Sequence, residues 1–267
     1  MDPDWRRICD EFVRATNYDS MREVREAFRA RPTWSYKEHD PYLKYDAPAC
    51  RVQLDAPEFP PASPVWEVFR NRRSLRRFVQ KPISLNQLNV LLWSAQGVTG
   101  QVERDGVSYQ LRTAPSAGGL YPIETYLFVN SVDGLDPGLY HLDVGNWVLE
   151  GLRLGDVREE AYLGLLQQPH TRVAAVNVIW TAVLPRCRAK YHERAYRYIW
   201  WDVGHISENL LMAATALGLG ACVMGAWLDS LINQSLGIDG VEHLSVLTAS
   251  VGAVEGLDWR YDRRTQT

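Results

Sequence analysis

The period of the hydrophobic positions changes several times along the chain, and each change marks an element. Within residues 3 to 31, Ile8, Phe12 and Val13 share one helical face and Met21, Val24 and Phe28 share another, so two short helices are predicted. The prolines from Pro41 to Pro64 block helix and sheet interior and favour extended backbone, a stretch expected to run along a surface. The spacing next predicts a helix over "LNQLNVLLWSAQ", opened by a capping box of Ser84 and Gln87 and stopped by Gly97, with Leu88, Leu91, Leu92 and Ala95 on its apolar face. "TYLFVN" reads as a strand. "GLYHLDVGNWVLEGL" reads as a hairpin turning over residues 143–146, where Gly145 and Asn146 tolerate positive φ. "RVAAVNVIWTAVL" predicts a long buried strand, and "WDVGHISENLLMAATALGLG" a central helix whose stripe is Val203, Ile206, Leu210, Ala213 or Ala214, and Leu217, ending near Gly218 and Gly220. Two further apolar runs, "ACVMGAWL" and "LSVLTASVG", complete the pattern. Hairpin-linked strands mixed with helices, without regular βαβ alternation, predict an α+β fold.

Composition narrows the function more than the fold. A chain of 267 residues with 46% apolar side chains can bury a large core. Its formal net charge of −3, with Lys and Arg scattered apart from "RNRRSLRR", sets up no field that calls for nucleic acid or an anionic membrane. The N-terminus lacks the apolar region of a signal peptide, and no run of about 18 uncharged apolar residues occurs, so a soluble cytoplasmic protein is expected. Cys9, Cys50, Cys187 and Cys222 are far apart, with no C-x-x-C pair and no His at zinc-ligand spacing, which predicts reduced thiols and no metal site.

Three stretches could carry chemistry. In "NRRSLRR", Arg72, Arg73, Ser74 and Arg76 offer the guanidiniums and hydroxyl that a phosphate needs, although a solvated basic helix end is an equal reading of the charges alone. No Walker-type loop is present, and the "GLG" at 218–220 ends a helix instead of opening one, so neither a P-loop nor a Rossmann fingerprint is supported. In "PSAGGLYP" the bare Gly118 and Gly119 would let main-chain amides approach a flat ligand, with Ser116 as one polar group and Pro115 and Pro122 fixing entry and exit; on these residues alone a tight turn needing positive φ outweighs that reading. "VMGAW" poses the same choice at Gly225, a bulge or a close backbone approach. The third stretch, "RAKYHERAYRYIWWDVGH", reads as a polar helix start. Lys and Tyr side chains ordinarily titrate near about 10, so Lys190 or Tyr191 would accept a proton only where burial or a neighbouring charge lowers that value. Asp202 and Glu208, six apart, do not share a face and make no carboxylate dyad. Most of Tyr196, Tyr198, Trp200, Trp201 and Trp227 are expected in core packing.

In order along the chain, "RRSLRRF", "LNQLNVLLWSAQG", "APSAGGLYPIETYLFV", "GLYHLD", "KYHERAYRY", "DVGHISENLLMAATALGLGACVMGAWLD" and "ASVG" together resemble the nitroreductase superfamily, and within it the SagB-type azoline dehydrogenases. The resemblance covers roughly residues 65 to 255. It implies a nitroreductase-like FMN-binding fold, an antiparallel-rich mixed sheet flanked by helices in an interlocked homodimer with two FMN sites at the interface. Residues 65–267 would be the FMN-binding domain, and residues 1–64 a helical appendage with a Pro-rich extended linker. Arg72, Arg73, Ser74 and Arg76 would hold the phosphate and ribityl chain from one subunit, with Pro115, Ser116, Ala117, Gly118 and Gly119 of the other against the isoalloxazine. Val223, Met224 and Gly225 would present amides near flavin N5, and Arg263 or Arg264 would add to the phosphate clamp. The adjacent Lys-Tyr pair that serves these dehydrogenases as acid and base is Lys190 and Tyr191 here.

The implied activity is oxidation of thiazoline or oxazoline rings to azoles, or of a related C–N unit, in a peptide-derived natural product, with oxygen reoxidising the flavin. Gly119 and Tyr121 stand where simple nitroreductases carry Asn and Gln, and Met224 replaces an acidic residue, which moves the match away from general reductases. No fused cyclodehydratase is evident, so a separate cyclodehydratase or other biosynthetic partner is expected to prepare the peptide. An NAD(P)H-dependent nitro or quinone reductase, or a non-catalytic scaffold subunit of a modification complex, are the rival readings.

Overall fold

The strand Ile123–Val129 shows how the sequence builds the centre of the fold. Ile123, Thr125, Leu127 and Val129 face one side, Glu124, Tyr126 and Phe128 face the other, and all are buried, as a strand covered on both faces requires. The computed structural model describes residues 3–17, 20–22, 25–26, 39–61, 64–104 and 106–255. In these, strands β1 (Cys50–Gln53), β5 (Ile123–Val129), β7 (Gly138–Asp143), β8 (Val148–Leu154), β9 (Val176–Val183), β10 (Gly220–Met224) and β11 (His243–Gly252) form a seven-stranded sheet in the order β1-β8-β7-β5-β9-β11-β10. Every pair of neighbours in it is antiparallel. Parallel pairing enters only beside it, where β2 (Ile83–Ser84) meets β6 (Val132–Asp133) and where Ser74 bridges Ala221 on the edge strand β10. A separate hairpin joins β3 (Val98–Arg104) and β4 (Val107–Arg112).

Helices cover both faces. On one side α3 (Leu85–Gln96) and α7 (Ala195–Ala216) pack over a core that includes Leu88, Leu91, Leu92, Leu127, Trp180, Val203, Ile206 and Leu210. The capping box predicted for α3 is present: Gln87 N–H donates to Ser84 Oγ and Ser84 N–H to Gln87 Oε1. On the other side α4 (Arg158–Gly164) and α8 (Asp229–Leu236) enclose Tyr126, Phe128, Ile179, Cys222, Ile232 and Leu236. The remaining helices are α1 (Pro3–Ala15), α2 (Val65–Asn71), α5 (His170–Val173) and α6 (Leu184–Tyr191).

Several expectations need amending. In the β7–β8 turn the positive φ belongs to Trp147, not to Gly145 or Asn146; Gly145 is there because a Cβ would come within 3.0 Å of the Tyr42 ring. Gly225 lies just after β10, exposed and without positive φ, so it marks no bulge inside a strand. Of the five aromatics, Tyr196, Tyr198 and Trp227 pack against the core as expected of most, and Trp200 and Trp201 stand 46% and 51% exposed on α7. The Pro-rich stretch is extended, and within it β1 is hydrogen-bonded into the sheet through β8. Of the predicted second helix, Val24 and Phe28 lie outside the described residues. α1 itself is tied to α7: Arg194 and Arg197 donate to the carbonyls of Thr16 (2.7 Å) and Val13 (3.1 Å), and Phe12 meets Tyr196 edge-on.

Candidate active site

The loop between β4 and β5 is held open by left-handed residues. Gly118 and Gly119 have φ of 64° and 68°, and Tyr121 reaches 46°, a conformation that costs a side-chain-bearing residue about 1 kcal/mol or more. Asp202, on the inner face of α7, fixes this loop. Ser116 Oγ donates to Asp202 Oδ2 at 2.5 Å, Ala117 N–H donates to Asp202 Oδ1 at 3.1 Å, and Tyr121 N–H donates to Ser116 Oγ at 2.9 Å. Burial pushes the Asp202 carboxyl up to about 6, against the downward pull of the bonds from Ser116 and Ala117.

Lys190 and Tyr191 arrive at the same loop from α6. A Cβ on Gly118 would lie 2.6 Å from the Tyr191 hydroxyl and 2.8 Å from Lys190 Nζ, so a glycine is needed for both ends to reach the backbone here. The pair closes a helix instead of opening one: His192, at φ 49°, breaks the chain between α6 and α7. Lys190 Nζ lies 5.5 Å from the Tyr191 ring centre, and Tyr191 packs edge-on against Tyr198, which in turn meets Trp201. Cys187, one turn earlier on α6, is buried, and that burial together with the Asp202 charge pushes its thiol up to about 12. Neutral at ordinary pH, it is no nucleophile.

The arginine segment lies along the opposite end of the same helix and along β10. Arg72 Nε is 3.5 Å from Glu208 on α7, and Leu75 N–H donates to the Ala221 carbonyl at 2.9 Å. Arg73, Ser74 and Arg76 are exposed, and Ser74 and Arg76 both reach the Cys222 thiol. Val223, Met224 and Gly225 continue from that strand, with open space around the Gly225 Cα. One chain thus holds a basic, hydroxyl-bearing strip beside β10 and a bare-backbone loop beside Lys190 and Tyr191, joined through Asp202 and Glu208, which at 1.5 Å per residue are about 9 Å apart along α7. The strip suits a phosphate and the loop a flat ring, so the residues fit FMN. Arg263 and Arg264 lie outside the described residues.

Two features were not legible in the sequence. Asp202 reads there as one more acid on a polar helix start; only the fold shows it turned inward onto Ser116. His39 also joins the loop, with Nε2 at 2.9 Å from the Leu120 carbonyl, and burial keeps the ring below its ordinary titration range. The segment carrying His39 then straps across a buried polar cluster. Leu43 N–H donates to Glu124, Tyr45 N–H to Glu150, Tyr42 Oη to Gln110 and Arg112 to the Pro41 carbonyl. Glu124 accepts from Arg186, and His141 sits between Glu124 (3.1 Å) and Glu150 (3.0 Å).

Comparison with known proteins places this geometry. The nitroreductase family model matches residues 69–253. A protein of Methanocaldococcus jannaschii named as a nitroreductase, MJ1384, is 34% identical over 172 residues, covering 64% of this chain and 83% of its own. The trifolitoxin-processing protein TfxB of Rhizobium leguminosarum bv. trifolii is 29% identical over 202 residues, 73% of this chain and 52% of its own, so the chain spans about half the length of that relative. Among solved structures, an Anabaena variabilis protein named as a nitroreductase superposes with a TM-score of 0.72 at 24% identity, over 91% of this chain and 46% of the other. A chain of the E. coli microcin synthetase McbBCD complex, with truncated pro-MccB17 bound, superposes at 0.57 and 21% identity over 95% and 94%. The two superpositions show the fold, and the match of the family model over most of the chain shows that the protein belongs to the nitroreductase family.

Proposed function

We propose that this chain is an FMN-dependent dehydrogenase of the SagB type, which oxidises an azoline ring, or a related C–N unit, in a peptide-derived substrate. The observation that carries the reading is the convergence of Tyr191 Oη and Lys190 Nζ on the bare Gly118 backbone. Two proton-bearing groups face one point of a loop suited to a flat ring, and a plain reductase needs no such pair. The likeness to TfxB supports a place in peptide modification.

FMN, when bound, supplies the hydride acceptor and passes the electrons on to oxygen. Arg72, Arg73, Ser74 and Arg76 of one subunit would hold its phosphate and ribityl chain, residues 115–119 of the other would lie against its ring, and Val223, Met224 and Gly225 would offer it main-chain amides. Oxidising a thiazoline to a thiazole removes a proton from Cα and a hydride from Cβ, leaving a ring C=C bond. Tyr191 and Lys190 would take and pass on that proton. The exposed Val65, Trp66 and Phe69 on α2, with Trp66 at 74%, and Trp200 and Trp201 on α7 offer an apolar surface for a second copy that would complete the site. A peptide-preparing partner such as a cyclodehydratase supplies the azoline.

The test is turnover of an azoline peptide by the FMN-loaded protein, followed as loss of two hydrogens by mass and as anaerobic bleaching of the flavin. Lys190→Ala with Tyr191→Phe is expected to cut turnover at least about a hundredfold, the usual scale for general acid–base groups, while flavin binding persists. Full turnover by the double variant would remove the pair from the mechanism. The likeness to MJ1384 favours a second reading, reduction of nitroaromatics or quinones by NAD(P)H. Bleaching by NADPH within seconds, with no response to the azoline, would select it.

A further inference from the structure

Asp202 poses a problem that its neighbours do not. It is 3% exposed, and among the described residues no cation pairs with it; the charged group that acts on it is His205, one turn along the same helix. A buried carboxylate without a counter-ion costs stability that a leucine at the same position would not, so the charge is unexplained by packing. What the carboxylate does hold is the loop, through both oxygens.

We infer that Asp202 is the positioning residue of the flavin-facing loop: its two oxygens clasp Ser116 and Ala117 and thereby keep Gly118 turned against Lys190 and Tyr191. The inference rests on the reading of residues 115–119 as an FMN-contacting loop. The bonds form a relay, Tyr121 N–H to Ser116 Oγ and Ser116 Oγ–H to Asp202 Oδ2, with Ala117 N–H on Oδ1. In such a chain each bond polarises the next. Arg112 holds the Tyr121 hydroxyl and ring from the far side, so without the clasp it is the Ser116–Gly119 end of the loop, next to the bond from Tyr121 N–H at φ 46°, that loses its anchor. The elements packed around Asp202 bring three further titratable groups: Cys187 and Lys190 from α6, and His205 from its own helix. Cys187 stays a neutral thiol at working pH, and His39, on the Leu120 carbonyl of the same loop, is kept below its ordinary range by burial.

The experiment is titration of flavin-free protein with FMN, followed by quenching of FMN fluorescence, alongside the thermal melt of the flavin-free protein. Asp202→Asn keeps the shape and removes the charge. The expected result is an FMN dissociation constant weaker by about tenfold or more, the scale of losing hydrogen bonds to a charged acceptor, with a melt that is unchanged or raised. Ser116→Ala, which removes the middle of the relay, is expected to weaken FMN binding likewise and serves if the Asn variant fails to fold. Below pH 6 the wild type loses affinity relative to Asp202→Asn. The FMN phosphate ionises alike in all of these proteins, so only the difference between them is read. An unchanged dissociation constant in both variants, or a loss that merely tracks a lower melt, overturns the inference. Failure of the wild type itself to take up FMN would instead overturn the functional reading.

Discussion

Glu124 on β5 and Asp202 on α7 are each 3% exposed, yet they are held on opposite sides of their ordinary titration range. Burial alone would raise Glu124; Arg186 and His141 outweigh it and bring the carboxyl down to about 2. Asp202 has only neutral donors, and burial wins, raising it to about 6. The first carboxylate is part of a charge-balanced cluster in which His141, flanked by Glu124 and Glu150, is itself shifted upward despite its burial. The second is an uncompensated charge facing a loop. The difference teaches where to look for function in this fold: the balanced cluster secures the sheet face, and the unbalanced acid stands where the backbone must be held against its own preference.

The sharpest way to break the comparison is to strip Glu124 of its cation. Arg186→Met leaves the buried carboxylate with His141 as its remaining cationic partner and is expected to cost about 3 kcal/mol in urea unfolding; a loss below about 1 kcal/mol would mean that Glu124 is no better compensated than Asp202. The pH dependence of stability separates the two acids next. Glu124, depressed from 4.5 to about 2, contributes stability above pH 4.5 that disappears as the pH falls towards 2, on the order of 3 kcal/mol. Asp202, raised from 3.8 to about 6, works the other way, so stability increases as the pH falls from 6 towards 3.8. Denaturation midpoints from pH 7 to 2 should therefore climb before they fall, and Asp202→Asn should flatten the climb alone. The smallest effect sharpens the description of the balanced side: Tyr45→Phe removes the 2.8 Å hydroxyl contact with Tyr126 and should cost about 1 kcal/mol, with no change in FMN affinity.

Much of the frame could be read from periodicity, because the α3 capping box, β5, β9 and the α7 stripe are each set by local spacing. The hairpin of β3 and β4 pairs locally but lacks a clean apolar alternation, and the entry of β1 into the sheet depends on a partner, β8, about a hundred residues away. The site shows the same division. Gly118, Lys190 and Tyr191 were recognisable by residue type, but that they meet is a fact of tertiary packing. Asp202 was set aside for lacking a dyad partner on its own helix, when its partners are a serine hydroxyl and an amide 85 or more residues away. Tyr196, Tyr198 and Trp227 pack against the core while Trp200 and Trp201 do not, a split that residue type cannot make because aromatics suit interfaces and cores equally.

The strap from His39 to Tyr45 has one more consequence. The family match begins at residue 69, yet Glu124, Glu150 and Arg112 find hydrogen-bond partners at Leu43, Tyr45 and Pro41, and β1 completes an edge of the sheet. Kinship and cooperative folding therefore mark out different lengths of this chain. A version trimmed to residues 69–253 would uncover ionised groups that the strap now shelters, so the stretch outside the family match is structural mortar for the part inside it.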